Sequence, residues 1–388
     1  MAKDQVKTMI AQTFLDMADA LESGRMGGRP KIALTGMGSE HGEENAMQGA
    51  VLAARQGVDV YYIGTLHHEG VTTVEVANED EGHKKMEELL TSGTVQGAVT
   101  MHYPFPIGVS TVGRCVTPGK GREMFLATTT GTSSTDRIEG MVKNAIYGII
   151  AAKACGIKEP TVGILNVDGA RQTETILKEL ASRGYPIRFA TSGRADGGCV
   201  MRGNDVLTGS ADVMVMDSLT GNVILKMLSA GASGGSYETL GCGYGPGIGE
   251  GYDRLVMIVS RASGANVIAG ALTYAAELVN GDYQAVAKAE FDAANGCCLK
   301  KLLAESVASR KAPAATAAEV VKAPPTEVVT ADIAGIEVMD LEDAVQLLWK
   351  NNIYAQSGMG CTGPIVLVSD ANWEKAKAIL QEGGFVGK

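Results

Sequence analysis

The chain has 388 residues, 34 Lys and Arg against 44 Asp and Glu, and a formal net charge of −10. That length allows about two or three structural units with ample core. The acidic balance excludes a general nucleic-acid or membrane-surface binder, which needs a basic field, and no apolar run approaches a membrane span.

The N-terminus, Met1-Ala2-Lys3-Asp4-Gln5, lacks a charged-then-apolar signal pattern, so a cytoplasmic location is expected. Residues 5–22 predict an amphipathic helix, with Val6, Met9, Ile10, Phe14, Met17 and Leu21 at helical spacing. After a turn-rich break, Lys31 to Thr35 reads as a buried strand. The loop Gly36-Met37-Gly38-Ser39-Glu40-His41-Gly42, a helix from Glu43 to Gln56 and a strand from Val58 to Ile63 follow. The alternation continues with a helix at His83–Ser92, a strand at Gly97–Met101, a helix at Ile138–Cys155 and a strand at Thr161–Asn166. A helix at Gln172–Arg183, a strand at Val213–Met216, a helix at Asn222–Gly231, a strand at Arg254–Val259 and a helix at Ala265–Val279 complete it. Repeated βα units with short apolar strands predict a three-layer α/β/α fold around a mostly parallel sheet, with ligands at the carboxyl ends of its strands.

The composition changes near Ser306. Between Ser306 and Ile333 stand eight alanines and three prolines, with no Leu, Met, aromatic residue or Gly. Such a stretch buries little and is expected to be an extended tether. The organisation predicted is an N-terminal helix in residues 1–30, a core in 31–305, an Ala/Pro-rich linker in 306–335 and a small αβ module in 336–388. In that module Ile336 to Met339 reads as a strand. Asp340 caps a helix with Leu341, Ala344, Val345 and Leu348 on one face. A glycine-rich loop, Ser357 to Pro364, leads into the strand Ile365–Val368 and a last helix from Asp370 to Gln381.

Nucleotide readings fare poorly. Gly36, Gly38 and Gly42 open a helix after a strand, as a dinucleotide fingerprint does, but the next strand ends Tyr62-Ile63-Gly64-Thr65 without an acid for the ribose. A helix start with free N–H groups can still hold an oxyanion such as phosphate. Thr128 to Ser134 adds a cluster of hydroxyls. Ser260-Arg261-Ala262-Ser263 follows a strong strand, and Asp217 to Asn222 opens a helix with Lys226 one turn in. Each loop is also an ordinary helix cap; together on one parallel sheet they favour an oxyanion site. Its candidate residues are Ser39, His41, Thr220, Asn222, Lys226, Ser260, Arg261 and Ser263.

The seven cysteines are scattered, without C-x-x-C spacing, so neither a disulfide framework nor a metal site is expected. Cys361 stands apart. Gly358, Gly360 and Gly363 surround it, and glycines let backbone N–H groups converge into a nest that stabilises a thiolate or a thioester's oxyanion. Sulfur is a good acyl carrier because it both attacks and leaves readily. Cys242, in Gly241-Cys242-Gly243, is the competing thiol; Cys297 and Cys298 read as packing.

These residues resemble a known family. Ala33-Leu34-Thr35-Gly36-Met37-Gly38-Ser39-Glu40-His41-Gly42, Pro160 to Asn166 and Asp217-Ser218-Leu219-Thr220-Gly221-Asn222-Val223-Ile224-Leu225-Lys226 are similar to the acyl-carrier-protein:phosphate acyltransferases. The likeness spans about Lys31 to Lys301 and implies a phosphate acyltransferase / isocitrate-dehydrogenase-like fold. His102-Tyr103-Pro104-Phe105-Pro106 and Arg261-Ala262-Ser263-Gly264 depart from that family's segments, which puts a long acyl chain on a carrier protein in doubt. With tether and tail included, the chain resembles the alpha subunits of component C of the glycine/sarcosine/betaine reductase complexes.

That resemblance implies an acyltransferase within an oxidoreductase complex: an acetyl thioester on Cys361, cleaved by inorganic phosphate to acetyl phosphate. It implies a hetero-oligomer with a thiolase-like beta subunit and the selenoprotein component A, and no cofactor. A stand-alone acyl-thioester:phosphate acyltransferase and a non-catalytic scaffold subunit remain the alternatives.

Overall fold

In the computed structural model the chain is described at residues 6–7, 10–11, 13–14, 17–18, 28–194, 197–311, 321–336, 340–360 and 363–386. Cys361 therefore lies outside the described residues, as do Met9, Leu21 and most of the strand expected at Ile336–Met339. The described residues between 6 and 18 are helical, and Val6, Ile10, Phe14 and Met17 are exposed.

The core elements are β1 (Lys31–Thr35), α1 (Glu43–Arg55), β2 (Asp59–Gly64), β3 (Thr72–Glu75), α2 (Glu79–Thr91), β4 (Gly97–Thr100), β5 (Val109–Val116) and β6 (Glu123–Thr132). There follow α3 (Arg137–Ala154), β7 (Thr161–Leu165), α4 (Ala170–Ser182), β8 (Arg188–Phe189), β9 (Val200–Met201), α5 (Gly203–Thr208), β10 (Val213–Val215) and α6 (Ser218–Ala230). The core closes with β11 (Gly245–Ile248), β12 (Val256–Ile258), α7 (Ala265–Asn280), α8 (Tyr283–Gly296) and α9 (Leu299–Lys311). Strands such as Ile32-Ala33-Leu34 and Val213-Met214-Val215 are wholly buried, because the sheet has helices on both faces. No helix among the described residues is long and apolar enough to cross a membrane.

The sheet is mostly parallel, in the order β3-β2-β1-β4-β12-β11-β5-β6-β10-β7-β8, with β9 also beside β7. Two parallel halves, β3 to β12 and β6 to β8, are joined by antiparallel pairings of β12 with β11, β11 with β5 and β5 with β6. Three reversals set the halves in opposite directions, so their carboxyl ends lie on opposite edges. The mostly parallel sheet expected is present, and the loops at its strand ends divide between the two edges. Thr128 to Thr132, expected in a loop, is strand: the Thr111 and Thr129 hydroxyls are 2.7 Å apart across the β5–β6 hairpin.

The stretch expected as tether, 306–335, begins inside α9 and ends in strand. Arg310 on α9 holds the Asp136 carboxylate with contacts of 3.0 and 3.1 Å, and Asp136 also accepts from Glu139 N at 2.9 Å as the cap of α3. The chain therefore leaves α9 beside the carboxyl end of β6. Described residues 321–330 form neither helix nor strand.

The tail comprises β13 (Ala331–Ala334), α10 (Leu341–Lys350), β14 (Ala355–Gly360), β15 (Gly363–Val368) and α11 (Trp373–Glu382), with sheet order β13-β15-β14. Its own core includes Ile333, Val345, Leu348, Val366 and Leu380. The glycine-rich segment expected as a loop is strand on both sides: Gly358 pairs with Ile365 and Gly360 with Gly363. Cys361 and Thr362, the centre of the predicted nest, lie between these strands and outside the described residues.

Candidate functional site

Two strand ends of the first half build a shared floor. After β1, the loop 36–42 runs beside the loop that follows β12: Glu40 N donates to Arg261 O at 2.9 Å, and Asn45 Nδ2 donates to Ser263 O at 3.0 Å and reaches Ser39 Oγ at 3.5 Å. Gly38 has φ +92, and a Cβ there would press on the Arg261 guanidinium, so glycine is what lets the two loops touch. Arg261 donates to Gly38 O at 3.0 Å and to Glu79 Oε1 at 2.6 Å.

The third wall comes from α6 and the segment after it. Lys226 Nζ lies 2.9 Å from Glu238 Oε1 and 3.3 Å from Ser260 Oγ. Ser263 Oγ donates to the other Glu238 oxygen at 3.1 Å. Glu238 N and O pair with the backbone of Ala262 and Gly264 at 3.0 and 2.9 Å, which locks the segment to the β12 loop. The Lys226 pKa is raised: burial pushes it down, but the Tyr244 hydroxyl and the Glu238 carboxylate outweigh that. An ammonium has three donors, and Glu238, Ser260 and the Tyr244 hydroxyl face them. His41 stands edge-on to Tyr237 with ring centroids 5.5 Å apart.

Six of the eight predicted oxyanion residues thus come together: Ser39, His41, Lys226, Ser260, Arg261 and Ser263. Thr220 and Asn222 do not join them. Thr220 Oγ1 donates to Asp217 Oδ2 at 2.6 Å, and Thr220 N donates to Asp217 Oδ1 at 3.0 Å, so this threonine is part of the α6 cap. Asn222 Nδ2 donates to Thr129 O at 3.2 Å, tying α6 to β6. Sequence reasoning missed Glu238, Asn45, Glu79, Tyr237 and Tyr244. None has a local signal, since each meets its partner only after folding.

The thiols divide by burial. Cys242, the competing candidate, is buried; its Sγ accepts from Arg114 Nε at 3.4 Å, and burial pushes its pKa up despite that cation. Burial also pushes Cys115 and Cys199 up to about 12. Cys298 is exposed.

The tail module rests on the second half. Gln172 Nε2 on α4 donates to Asp340 Oδ2 at 3.4 Å, and a Cβ on Gly335 would lie 3.5 Å from the Arg171 guanidinium. Ala334 pairs with Ile365, and Gly360 with Gly363. The end of the module's sheet that carries Gly360 and Gly363 is therefore the end beside Gly335 and α4.

Comparison with known proteins adds a lineage. Residues 30–367 match the family described as "Fatty acid synthesis protein". The chain is 58% identical over 383 residues to the glycine/sarcosine/betaine reductase complex component C subunit alpha of Peptoclostridium acidaminophilum, covering 98% of this chain and 99% of that protein. It is 27% identical over 240 residues to a phosphate acyltransferase of Thermus thermophilus, covering 51% of this chain and 70% of the other. Among solved structures, a branched-chain phosphotransacylase from Enterococcus faecalis aligns with 64% of this chain and 99% of its own, at 16% identity and a TM-score of 0.44.

Proposed function

The chain belongs to the fatty acid synthesis protein family and, within it, to the component C alpha subunits of glycine/sarcosine/betaine reductase, and on that premise we propose that it forms acetyl phosphate. An acetyl group arrives as a thioester on Cys361, delivered through a thiolase-like beta subunit from the selenoprotein component A. A phosphate oxygen attacks the thioester carbonyl, the C–S bond breaks, and acetyl phosphate leaves. The proton of hydrogen phosphate passes to the departing thiolate, so atoms and charge balance.

The observation that carries this reading is the meeting of three distant stretches of chain: the Ser39 loop is tied through Asn45 to the Ser260–Ser263 loop, and Lys226 reaches that same loop at Ser260. The half-exposed Lys226 ammonium and the hydroxyls suit a phosphate dianion. Arg261 and His41 edge the same point, and Ser263 acts through Glu238. Phosphate is itself a nucleophile, so no separate general base is required. The module with Cys361 rests at the opposite edge, which supports a thioester that travels on a tether. Linking would raise its local concentration to about the millimolar range when the linker matches the span.

The test is peptide mass spectrometry of the full chain after incubation with acetyl phosphate, before and after excess arsenate. An acetyl group on the Cys361 peptide, discharged by arsenate, is the expected result. Label on Cys242 would move the site, and no label on any cysteine with the beta subunit present would favour a scaffold. The phosphate acyltransferase relative keeps one rival in view: acyl transfer from a coenzyme A or carrier-protein thioester to phosphate by a Cys361→Ala chain without partners.

A further inference from the structure

The segment His102-Tyr103-Pro104-Phe105-Pro106 takes no part in the phosphate chemistry proposed above, yet it lies beside it. It leaves β4, crosses one face of the sheet and enters β5 through Gly108. That face also carries α2 and α6. Met86 of α2 clusters with Ala98, Leu225 of α6 clusters with Ile258, and β4 pairs with β12 through Ala98–Val256 and Thr100–Ile258. Tyr103 packs against both clusters and Phe105 against the second. The segment therefore walls off the sheet face in the gap between the two helices.

The wall is held at several points. A Cβ on Gly247 of β11 would overlap the Phe105 ring, so glycine is what lets the ring lie on that strand. The Phe105 ring centroid is 5.1 Å from that of Tyr103 and 6.0 Å, edge-on, from that of Tyr252. The Tyr103 pKa is raised, first by burial and then by Glu87 on α2, which sets the hydroxyl against that helix. Pro104 and Pro106 fix the backbone on either side of Phe105. Gly108 N donates to Thr132 O at 2.8 Å, and Gly108 O accepts from the Tyr147 hydroxyl at 2.7 Å.

Strand register gives the separation from the phosphate group's site. Ser260, which Lys226 contacts, lies two residues past Ile258. Ile258 pairs with Gly245 of antiparallel β11, and Gly247 lies two residues further from Ser260. Four residues of rise amount to roughly 13 Å. Between the two levels stand the buried Ile258 and Tyr244. The gap takes a phosphate and a short acyl group end to end, and a longer chain meets the Phe105 ring.

We propose that this wall sets the length of the acyl group, with Phe105 as its specificity-determining residue. Acyl groups of a few carbons fit between Lys226 and the ring, and fatty chains do not. The inference rests on the phosphate site proposed above.

The experiment is calorimetric titration of the full chain with acetonylphosphonate and with its octanoyl counterpart, stable analogues of acetyl phosphate and octanoyl phosphate. Wild type, Phe105→Ala, Tyr103→Phe and Lys226→Met are compared, and the ratio of the two dissociation constants is read. Wild type is expected to prefer the short analogue. Phe105→Ala is expected to shift the ratio toward the long one by about tenfold or more. Tyr103→Phe keeps both rings and is expected to keep the wild-type ratio, and Lys226→Met is expected to weaken both analogues. Phe105→Leu, a smaller cut with a smaller shift in the same direction, serves where the alanine variant does not fold. An unshifted ratio in the Phe105 variants, or an equal shift in Tyr103→Phe, would overturn the role of Phe105. If wild type binds both analogues equally and Lys226→Met loses both, the phosphate site stands and the wall falls. If no form binds either analogue, the phosphate site is lost and this inference with it.

Discussion

Lys226 and Glu238 form a half-buried pair: Nζ is 2.9 Å from the carboxylate, with the lysine side chain 45% exposed and the glutamate 5%. The cation proposed above to receive phosphate is thus already partnered. Glu238 holds it in position and also subtracts from the field a phosphate would feel. Glu238→Gln keeps the shape and removes the charge. With one side of the pair in solvent, screening limits the gain, and the phosphate KM is expected to fall about threefold to tenfold. Lys226→Met leaves Glu238 buried beside Ser263 alone, and phosphate turnover is expected to drop by about a hundredfold. Steady-state kinetics at varied phosphate checks both.

Gly221 decides how closely α6 approaches the sheet. It lies in a helix, where alanine would ordinarily be favoured by about 1 kcal/mol. A Cβ at Gly221 would overlap the Thr128 carbonyl oxygen. Backbone cannot swing away as a flexible side chain can, so overpacking wins over propensity. Gly221→Ala is expected to destabilise the core by about 1–3 kcal/mol and to shift Lys226 from Ser260, lowering phosphate turnover as well. A denaturant midpoint at or above wild type would contradict this.

Much of this architecture is legible in the sequence. Ile32-Ala33-Leu34, Val162-Gly163-Ile164 and Val213-Met214-Val215 are apolar enough to declare buried strands, and the turn at Ser260 to Gly264 declares a helix start. The reversal between the half-sheets is not legible. It depends on β11, Gly245-Pro246-Gly247-Ile248, which has almost no strand propensity, and on β5, whose Arg114 breaks the apolar pattern. Arg114 is tolerated there because Glu277 on α7 pairs with it and Tyr274 lies 4.5 Å beneath it. Those partners are 163 and 160 positions away in the chain. Glu238 escapes notice for the same reason. The cap role of Thr220 was open to a local reading, since Asp217 three residues earlier is an ordinary N-cap.

Thiol accessibility gives a third prediction. The thiolate is the reactive form, and burial pushes Cys115 and Cys199 up to about 12 and raises Cys155 and Cys242. Brief alkylation of the native chain near neutral pH is expected to modify the exposed Cys298 and to spare those four until denaturant is added. Quantitative peptide mapping reads this directly. Rapid native-state alkylation of Cys242 would restore it as a rival to Cys361.

The contact between module and core is expected to respond to pH. The Asp340 carboxyl is held above the usual carboxylate range, first by burial and then by Asp343 on its own helix and Asp168 on the core. A carboxyl whose pKa is raised on docking contributes stability that is fully present below its ordinary value, near pH 4, and lost as pH rises through the raised one. The core carboxylates titrate in the opposite sense. For Asp212 and Asp217, hydrogen bonds from Thr161 and Thr220 and the charges of Arg122 and Arg137 outweigh burial and hold the pKa down. Their contribution is present at neutral pH and lost only as pH falls through those lowered values. A window therefore exists, from just above the acid limit of the core to neutrality, in which the core stays folded while the docked contact weakens with rising pH. Resonance energy transfer between a dye on α4 and one on α11 should decline across that window in wild type. Asp340→Asn, which keeps the hydrogen-bonding shape and cannot ionise, should hold the docked signal through neutral pH. A wild-type signal that rises with pH, or an Asp340→Asn chain that titrates as wild type does, would show that the docked contact is set by other groups.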